Sequence, residues 1–297
     1  MPTLPVELYR PIVAHVDDRD LLLLLTTCRL MHAESERILY RHIGLYARST
    51  QIIDELIHCP RRCLHVRSLF MYETGGKILW TKLSVAFSMM HNLIEADFDM
   101  CTPQIRLQKV FGHGTVKFRK LKCTFDYDQD LLDFFTSQDQ ITQLAWNGYL
   151  TIPPQYSDSE SGSGSDTDSS EGVEDIQPPP PFPSHVFPRL THLLGPMENI
   201  NLLYPGRNIT HLSLYGPQGV DLNVFYCPRS PNLRLRALSM YNTLDRTEMH
   251  DVVSGCPNLR FLSCIITLEV SALLASVFRS LRYTFRISAF SPNRSAS

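Results

Sequence analysis

A short pattern of apolar positions recurs along most of the chain. Each copy has apolar residues at its first, fourth and sixth positions, with polar or mixed residues between them. Alternation over the last three positions is typical of a short strand with one buried face. The pattern therefore predicts a series of short strands, each followed by a return segment. The copies that fit well are Val66, Leu69, Met71; Leu93, Ala96, Phe98; Phe118, Leu121, Cys123; Ile141, Leu144, Trp146; Ile209, Leu212, Leu214; Leu235, Leu238, Met240; and Leu259, Leu262, Cys264.

Two further copies are weaker, and the spacing shows one interruption. Leu190, Leu193 and Gly195 lack an apolar third residue, and Phe278, Leu281 and Tyr283 form a candidate last copy. Successive copies begin 19–27 residues apart, except across one interval of 49 residues. Removing an insertion of roughly 25 residues returns that interval to the period. Such units are expected to stack, because one unit cannot bury its own apolar face. The alternative is an ordinary α/β domain whose strands recur by chance.

The period and the strand pattern resemble those of the leucine-rich repeat, with units of about 20–29 residues. Several copies also carry a lead-in typical of divergent members: HNL before Ile94, FPRL before Thr191, SPNLRL before Arg236 and CPNL before Arg260. The resemblance implies an irregular solenoid with a concave face. The asparagine that usually follows the strand in that family is mostly missing here, so regular curvature is not expected.

The first forty residues show a helical pattern instead. Pro5 suits the first turn of a helix, and Pro11 is expected to shorten or kink it. The acidic residues at 17–18 can cap a second helix, which contains Leu21–Leu25. A third helix is predicted from about residue 31 to residue 40. The apolar face of the first helix is formed, at four-residue steps, by Leu4, Leu8, Ile12 and Val16.

The run of five leucines from Leu21 to Leu25 leaves the second helix without a polar face. A membrane, the interior of this chain or a second protein could cover it. The preceding residues carry four carboxylates against two arginines, and no stretch approaches the roughly 20 apolar residues of a membrane-spanning helix, so we expect a soluble chain without a signal peptide. Three short helices cannot form a self-sufficient core, so a second protein is expected to cover one side. The alternative is that the leucines pack only against the first repeat.

Residues 4–43, LPVELYRPIVAHVDDRDLLLLLTTCRLMHAESERILYRHI, resemble an F-box. The resemblance rests on the LP-x-E-L start, a spaced isoleucine, the acidic break, D-L-L-x-L, C-R and L-Y-x-x-I, with departures at Arg10 and Pro11. An F-box followed by loose repeats is similar to F-box proteins abundant in fungi. The resemblance implies binding to the Skp-type adaptor of a cullin ubiquitin ligase. The residues it assigns to adaptor contacts are Leu4, Pro5, Leu8, Ile12, Leu21, Leu22 and Leu25.

Composition narrows the function classes. Apolar residues make up 43% of the 297 residues, which is enough for a core, and the net charge of −2 lacks the basic excess of nucleic-acid-binding chains. The eight cysteines show no framework of short spacings. We therefore expect reduced thiols, a cytoplasmic or nuclear location, and unused sequons at Asn208 and Asn293.

The segment 157–183 has seven carboxylates, no lysine or arginine, and a polyproline run near its end. It cannot bury enough apolar surface to offset its ordering entropy, so a disordered acidic insertion is predicted over 156–183. Without these seven carboxylates the chain has 23 acidic and 28 basic residues, a net charge of +5. Ser157, Ser163 and Ser165 each have a carboxylate three residues downstream and are candidate phosphorylation sites for acid-directed kinases. The alternative is a plain solvated insertion.

The predicted concave face supplies candidate contacts with a recruited protein. Side chains alternate along a strand, so residues between and after the buried positions point away from the core. Tyr215 and Tyr241 occupy the same position of adjacent copies, with Tyr72 further along, and tyrosines are common in binding hot spots. The alternative is that these are ordinary half-buried residues. The candidates are Phe70, Tyr72, Ser213, Tyr215, Ser239 and Tyr241.

No motif indicates a metal, a cofactor or catalysis. HCPRRCLH, from His58 to His65, places four potential zinc ligands within eight residues, whereas structural sites usually combine two separated pairs. GHG at 112–114 is too short for a phosphate loop. Scattered histidines and carboxylates make chance triads inevitable, so none counts as support for an enzyme.

Together these features predict an α/β chain: a three-helix F-box over 1–45, repeat segments over 46–155 and 184–290, the acidic insertion over 156–183, and a disordered tail over 291–297. The predicted function is a non-catalytic adaptor that binds a Skp-type subunit and recruits an unknown protein, with no nucleic acid and no membrane involved. The alternative is a repeat scaffold that acts without a ligase, its helices serving only as a cap.

Overall fold

A computed structural model of the chain describes residues 5–46, 50–72, 76–99, 105–112, 116–148, 182–215, 234–244, 252, 254–266 and 284–289. Several predicted features lie outside these residues: Leu4, the three candidate phosphorylation sites, most of the acidic insertion, the last copy at Phe278, Leu281 and Tyr283, and the tail.

Ten parallel strands form one sheet within the described residues, and each strand pairs with the strands before and after it in the sequence. Equivalent positions of the repeated pattern are in register, as in the ladder from Leu69 to Ala96 and on to Leu121. The strands are β1 (His42–Leu45), β2 (Ser68–Met71), β3 (Glu95–Phe98), β4 (Lys120–Cys123), β5 (Gln143–Trp146), β6 (His192–Pro196), β7 (His211–Tyr215), β8 (Ala237–Leu244), β9 (Phe261–Ile266) and β10 (Thr284–Ala289).

Helices connect many of these strands and pack on one face of the sheet. Neighbouring connecting helices also pack on one another in sequence order. None of the helices in the described part of the chain has the length and apolar character needed to span a bilayer. The helices are α1 (Val6–Val13), α2 (Asp18–Leu24), α3 (Arg29–Leu39), α4 (Thr50–His58), α5 (Pro60–Cys63), α6 (Lys77–Phe87), α7 (Leu107–Phe111), α8 (Gln129–Ser137) and α9 (Met197–Leu203).

The core lies between the sheet and this helical layer. The described apolar residues of the repeated pattern are buried there, while their described neighbours along the strands are half-buried or exposed, apart from buried Ser68 in β2. Aromatic rings extend the packing from strand to helix: Phe98 lies 6.1 Å from Trp80 and 5.7 Å from Phe111, centroid to centroid. The predicted α/β class and the predicted alternation are confirmed.

The repeated pattern places strands β2 to β9 but misses β1. Ile43 and Leu45 lie in β1 and, with Tyr40 just before it, match the pattern 26 residues before Val66, inside the range predicted as a helical domain. At the other end, β10 begins at Thr284, directly after the predicted last copy, which lies outside the described residues.

The poor fit at Gly195 has a steric cause. A Cβ atom at this position would lie 2.6 Å from the carbonyl oxygen of Trp146 in the neighbouring strand. The third apolar position of this copy is therefore closed to any larger side chain, and glycine permits the two backbones to approach.

The predicted insertion extends too far toward its C-terminal end. Phe182 is buried, and its ring lies 5.8 Å from that of Trp146. The guanidinium of buried Arg207 donates to the carbonyl oxygens of Phe182 and Pro183, at 3.3 and 2.8 Å, and to three further carbonyl oxygens. Burial lowers the pKa of Arg207 to about 10. Residues 182 and 183 therefore belong to the packed structure and not to the insertion.

Candidate protein-binding surfaces

The three N-terminal helices carry an apolar surface that the described chain leaves uncovered. Val13 and Leu21 are fully buried, and both α1 and α2 pack on α3. Because the leucine run of α2 has no polar side, burying Leu21 turns other leucines outward. Leu22 and Leu23 are 58% and 67% exposed. We call the five exposed side chains the apolar patch: Leu8, Ile12, Leu22, Leu23 and Leu30.

Covering the apolar patch is worth more than covering a single surface leucine. Fully burying one such side chain is worth about 1.5–3 kcal/mol, so covering five half-exposed ones is worth on the order of 5 kcal/mol. Several large apolar side chains exposed on three short helices mark a candidate interaction site. The patch can therefore bind an apolar surface of another protein.

The structure separates the residues assigned to adaptor contacts. Leu8, Ile12 and Leu22 belong to the apolar patch, Pro5 is exposed and Leu25 is half-buried. Leu21 is fully buried, so its assignment was wrong: it holds the helices together instead. The sequence interpretation missed Leu23 and Leu30, since a run without a polar face does not reveal which side faces inward.

An ion-pair group fixes α1 against α3 beside this patch. The Nε atoms of Arg37 and Arg10 lie 2.8 and 3.4 Å from Oε2 of Glu34. Burial works against ionisation of Glu34, but the hydrogen bond and charge of Arg37, with the charge of Arg10, outweigh it and lower the pKa of the carboxyl. These contacts link α1 to α3, the two helices that carry Leu8, Ile12 and Leu30 of the patch.

A second ion-pair group joins α3 to the helical layer of the sheet. The carboxylate of Glu36 is buried, and its oxygens lie 2.7 Å from Nε of Arg62 and 3.2 Å from Nη2 of Arg61. Arg62 also pairs with Glu55 and lies 4.8 Å from the centroid of the Tyr40 ring. Burial opposes ionisation of Glu36, but these arginines lower its pKa overall.

The face of the sheet opposite the helices is open and polar. On it, Nζ of Lys122 lies 2.8 Å from the carboxylate of Asp99 and 3.4 Å from that of Asp97. Nζ of Lys120 lies 3.4 Å from Glu95. Burial raises the pKa of Asp97 despite the charge of Lys122. A groove of about 370 Å³ crosses β2 to β7 on this face.

Two stacked histidines line the groove. The rings of His192 and His211 lie 4.0 Å apart with planes 9° from parallel. Their Nδ1 atoms lie 2.9 Å from the hydroxyls of Thr191 and Thr210. Each hydroxyl also donates to a backbone carbonyl, so it accepts from Nδ1–H, and Nε2 is left as the acceptor. Burial and the neighbouring ring lower the pKa of His192.

The candidate contacts with a recruited protein do not form one cluster. Phe70 and Ser213 line the groove, and Ser239 is half-buried on β8. Tyr72 is exposed and stacks on Tyr46 at 5.4 Å, at the β1 end of the sheet.

Tyr215 lies five strands away from Tyr72, or about 24 Å along the sheet at the usual strand spacing. Its hydroxyl is buried without a hydrogen-bond partner among the described residues, and burial raises its pKa to about 12. Only the backbone of Tyr241 is described, in β8 beside β7. Tyr72 and Tyr215 therefore do not belong to a single hot spot, whereas the pairing of Tyr215 with Tyr241 stays a prediction.

The HCPRRCLH segment forms α5 and its flanks. Cys63 is buried, and its thiol donates to the carbonyl oxygen of Leu56 at 3.3 Å. Nδ1 of His58 lies 2.6 Å from the carbonyl oxygen of Asp54. Within the described residues, no three His, Cys, Asp or Glu side chains are grouped as metal ligands would be.

Comparison with known proteins assigns no family to the chain. No protein-family model matches its sequence, and no curated protein matches it significantly.

Proposed function

We propose that the chain is a non-catalytic adaptor of a cullin ubiquitin ligase, with an F-box in α1–α3 and a leucine-rich-repeat solenoid in the rest. The helices bind the Skp-type subunit, and the repeats bind the protein to be ubiquitinated. The apolar patch is the observation that carries this proposal: a defined, uncovered apolar surface lies where the F-box resemblance assigns adaptor contacts.

The sheet supports the repeat half of the proposal. Strict sequential pairing of parallel strands is what stacked repeats produce, since each repeat contacts only its neighbours. A ten-strand sheet made this way offers a long open face for a protein partner. The proposed location, cytoplasmic or nuclear, follows from the reduced cysteines expected of the sequence.

The proposed mechanism is proximity. A target bound on the repeats is held near a charged ubiquitin-conjugating enzyme, which raises the effective concentration of the reacting groups. Neither surface needs a catalytic residue in this mechanism. The ion pairs of Glu36 hold α3 against the helical layer of the repeats. The target on the repeats is therefore held within a limited range of distances from the Skp-type subunit.

The proposal is tested by purifying the tagged chain from native cells with the proteasome inhibited. We expect the Skp-type subunit and the cullin in the eluate, and ubiquitin conjugates of any captured protein that disappear in a Leu22→Asp/Leu23→Asp variant. The matched control is Ile78→Asp, because Ile78 is 73% exposed but lies on α6, outside the patch. Absence of the adaptor from the wild-type eluate would reject the proposal.

A scaffold that works without a ligase is the second candidate. The observation that favours it is the Glu36 ion-pair group, which lets α3 cap the end of the sheet beside β1. A scaffold would retain its protein partner in the Leu22→Asp/Leu23→Asp variant and never yield the adaptor.

A further inference from the structure

Positively charged residues are concentrated along one edge of the sheet, where the strands begin. The residue before each strand accepts a backbone hydrogen bond, through its carbonyl oxygen, from the N–H of the equivalent residue before the next strand. The nitrogen of Arg67 lies 2.9 Å from the carbonyl oxygen of Arg41, and that of Arg260 lies 2.7 Å from the oxygen of Arg236. The whole ladder runs through Arg41, Arg67, Ile94, Arg119, Thr142, Thr191, Thr210, Arg236 and Arg260.

A second row lies two residues before the first. Its members are Leu39, His65, Asn92, Lys117, Gln140, Arg189, Asn208, Arg234 and Asn258. We call the two rows together the basic rim. The rim has eight arginines and lysines and no aspartate or glutamate. All eight are exposed.

In the second row of the rim, Nζ of Lys117 lies 3.7 Å from the carboxylate of Asp139. The first row is not neutralised in the way that the neighbouring open face is. There, Lys120 and Lys122 pair with carboxylates. By contrast, among the described residues the five arginines of the first row make no ion pair with a carboxylate. Like charges on adjacent rungs destabilise a sheet, and this is the arrangement of Arg41 beside Arg67 and of Arg236 beside Arg260. A bound anion would remove that repulsion.

At the C-terminal end, the rim forms a depression of about 550 Å³. Its lining contains three guanidinium groups, two amides and one hydroxyl, and no carboxylate. The planar fork of arginine binds carboxylate and phosphate oxygens in pairs. The lining residues are Asn208, Thr210, Arg234, Arg236, Asn258 and Arg260.

We propose that the basic rim binds an extended acidic segment of a partner protein. Arg119 and Arg236 are four rungs apart, or about 19 Å, and the full ladder spans about 38 Å. An extended peptide covers that length with roughly 12 residues. The partner segment therefore has carboxylates or phosphates near both ends and small residues over the three threonines.

A polypeptide fits this surface better than a nucleic acid does. Neither row contains a phenylalanine, tyrosine or tryptophan on which a base could stack. The cations of the first row also form two groups separated by three threonines, with Arg189 of the second row as the one cation at those rungs, rather than a continuous track for a phosphate backbone. Identifying this partner as the recruited protein rests on the proposed function. The binding of an acidic segment to the rim does not depend on the proposed function.

The test measures fluorescence anisotropy of a labelled 14-residue peptide of glutamate and glycine, with the full chain. A peptide with glutamine in place of glutamate is the ligand control. We expect the glutamate peptide to bind, to weaken as salt is raised, and to bind at least tenfold more weakly to an Arg236→Gln/Arg260→Gln variant. The matched control variant is Arg106→Gln/Lys109→Gln, because both side chains are exposed on the helical layer. It should bind as the wild type does.

Two results with the peptides would overturn the proposal: equal binding of the glutamate and glutamine peptides, or an equal loss of binding in the control variant. Tighter binding of a single-stranded oligonucleotide at the same salt concentration would also overturn it. So would peptide binding that appears only when the seven carboxylates between 157 and 183 are replaced by amides. The last result would mean that the chain's own acidic segment occupies the rim. Because the apolar patch and the rim share no residue, Skp-type binding is measured separately, and its failure would leave the peptide result intact.

Discussion

Replacing Glu36 with glutamine should release the N-terminal helices from the helical layer of the sheet. The Glu36 side chain is 5% exposed, and both of its oxygens face arginines, Nε of Arg62 at 2.7 Å and Nη2 of Arg61 at 3.2 Å. Glutamine keeps one acceptor oxygen but loses the charge. The variant leaves Arg62 with only Glu55, which is half exposed.

The expected cost follows from the burial of this pair. Removing one partner of a buried ion pair typically costs about 3–5 kcal/mol, and the remaining acceptor and Glu55 reduce this to about 2–3 kcal/mol here. The matched control, Glu55→Gln, removes a carboxylate that is 49% exposed and should cost under about 1 kcal/mol.

The effect also has a defined pH dependence. The folded-state pKa of Glu36 lies below its ordinary value of 4.5, so its ionised form stabilises the structure above that pH. This stabilisation is lost as the pH falls through the folded-state pKa. The difference between wild type and Glu36→Gln should therefore be full at pH 6 and disappear in more acidic solution.

The assay is hydrogen exchange followed by mass spectrometry. Peptides from α1–α3 should exchange roughly 30- to 150-fold faster in Glu36→Gln, which corresponds to the stated free energy. Unfolding of the sheet is followed by fluorescence, because the two tryptophans of the chain, Trp80 and Trp146, are buried in its core. Exchange in α1–α3 that changes no more than in Glu55→Gln would refute the reasoning.

Two other substitutions test the packing around the acidic insertion. Gly195→Ala should lower the free energy of unfolding, measured by urea denaturation, by about 1–3 kcal/mol, because its Cβ would lie 2.6 Å from the carbonyl oxygen of Trp146. The control Gly76→Ala, whose Cβ would have no atom within 4 Å, should lower it by under about 1 kcal/mol. Equal costs would contradict the steric argument. Arg207→Met leaves five carbonyl oxygens without their donor, so limited proteolysis should cut within 182–187 far faster than in Arg189→Met. Equal cleavage rates would show that Arg207 does not anchor the segment.

The strands were predictable because their pattern combines burial with periodicity. Buried positions at fixed offsets, such as those of Leu121 and Leu144, follow from the alternation of a strand and from the need to stack. Tyr40, Ile43 and Leu45 carry the same pattern, but they overlap a helical motif, which concealed β1. At Gly195, a backbone contact that is distant in sequence overrode the pattern.

The candidate surfaces were less predictable. An all-leucine run shows that a helix needs cover on several sides but not that Leu21 faces inward while Leu23 faces outward. The order of the copies already places Tyr72 five copies from Tyr215, but the distance between them follows only once all these strands pair in sequence in one sheet. The basic rim became visible only when the backbone ladder placed arginines that are distant in sequence, such as Arg67 and Arg236, on one edge.

The most direct test of the proposed adaptor function is the affinity of the full chain for a purified Skp-type subunit, measured by calorimetry. We expect a 1:1 complex. The Leu22→Asp/Leu23→Asp variant should lose at least about 3 kcal/mol of binding free energy, or roughly 100-fold in Kd, since two exposed leucines would no longer be buried. The Ile78→Asp variant should bind as the wild type does. No binding by the wild-type chain, or equal binding by all three proteins, would contradict the account.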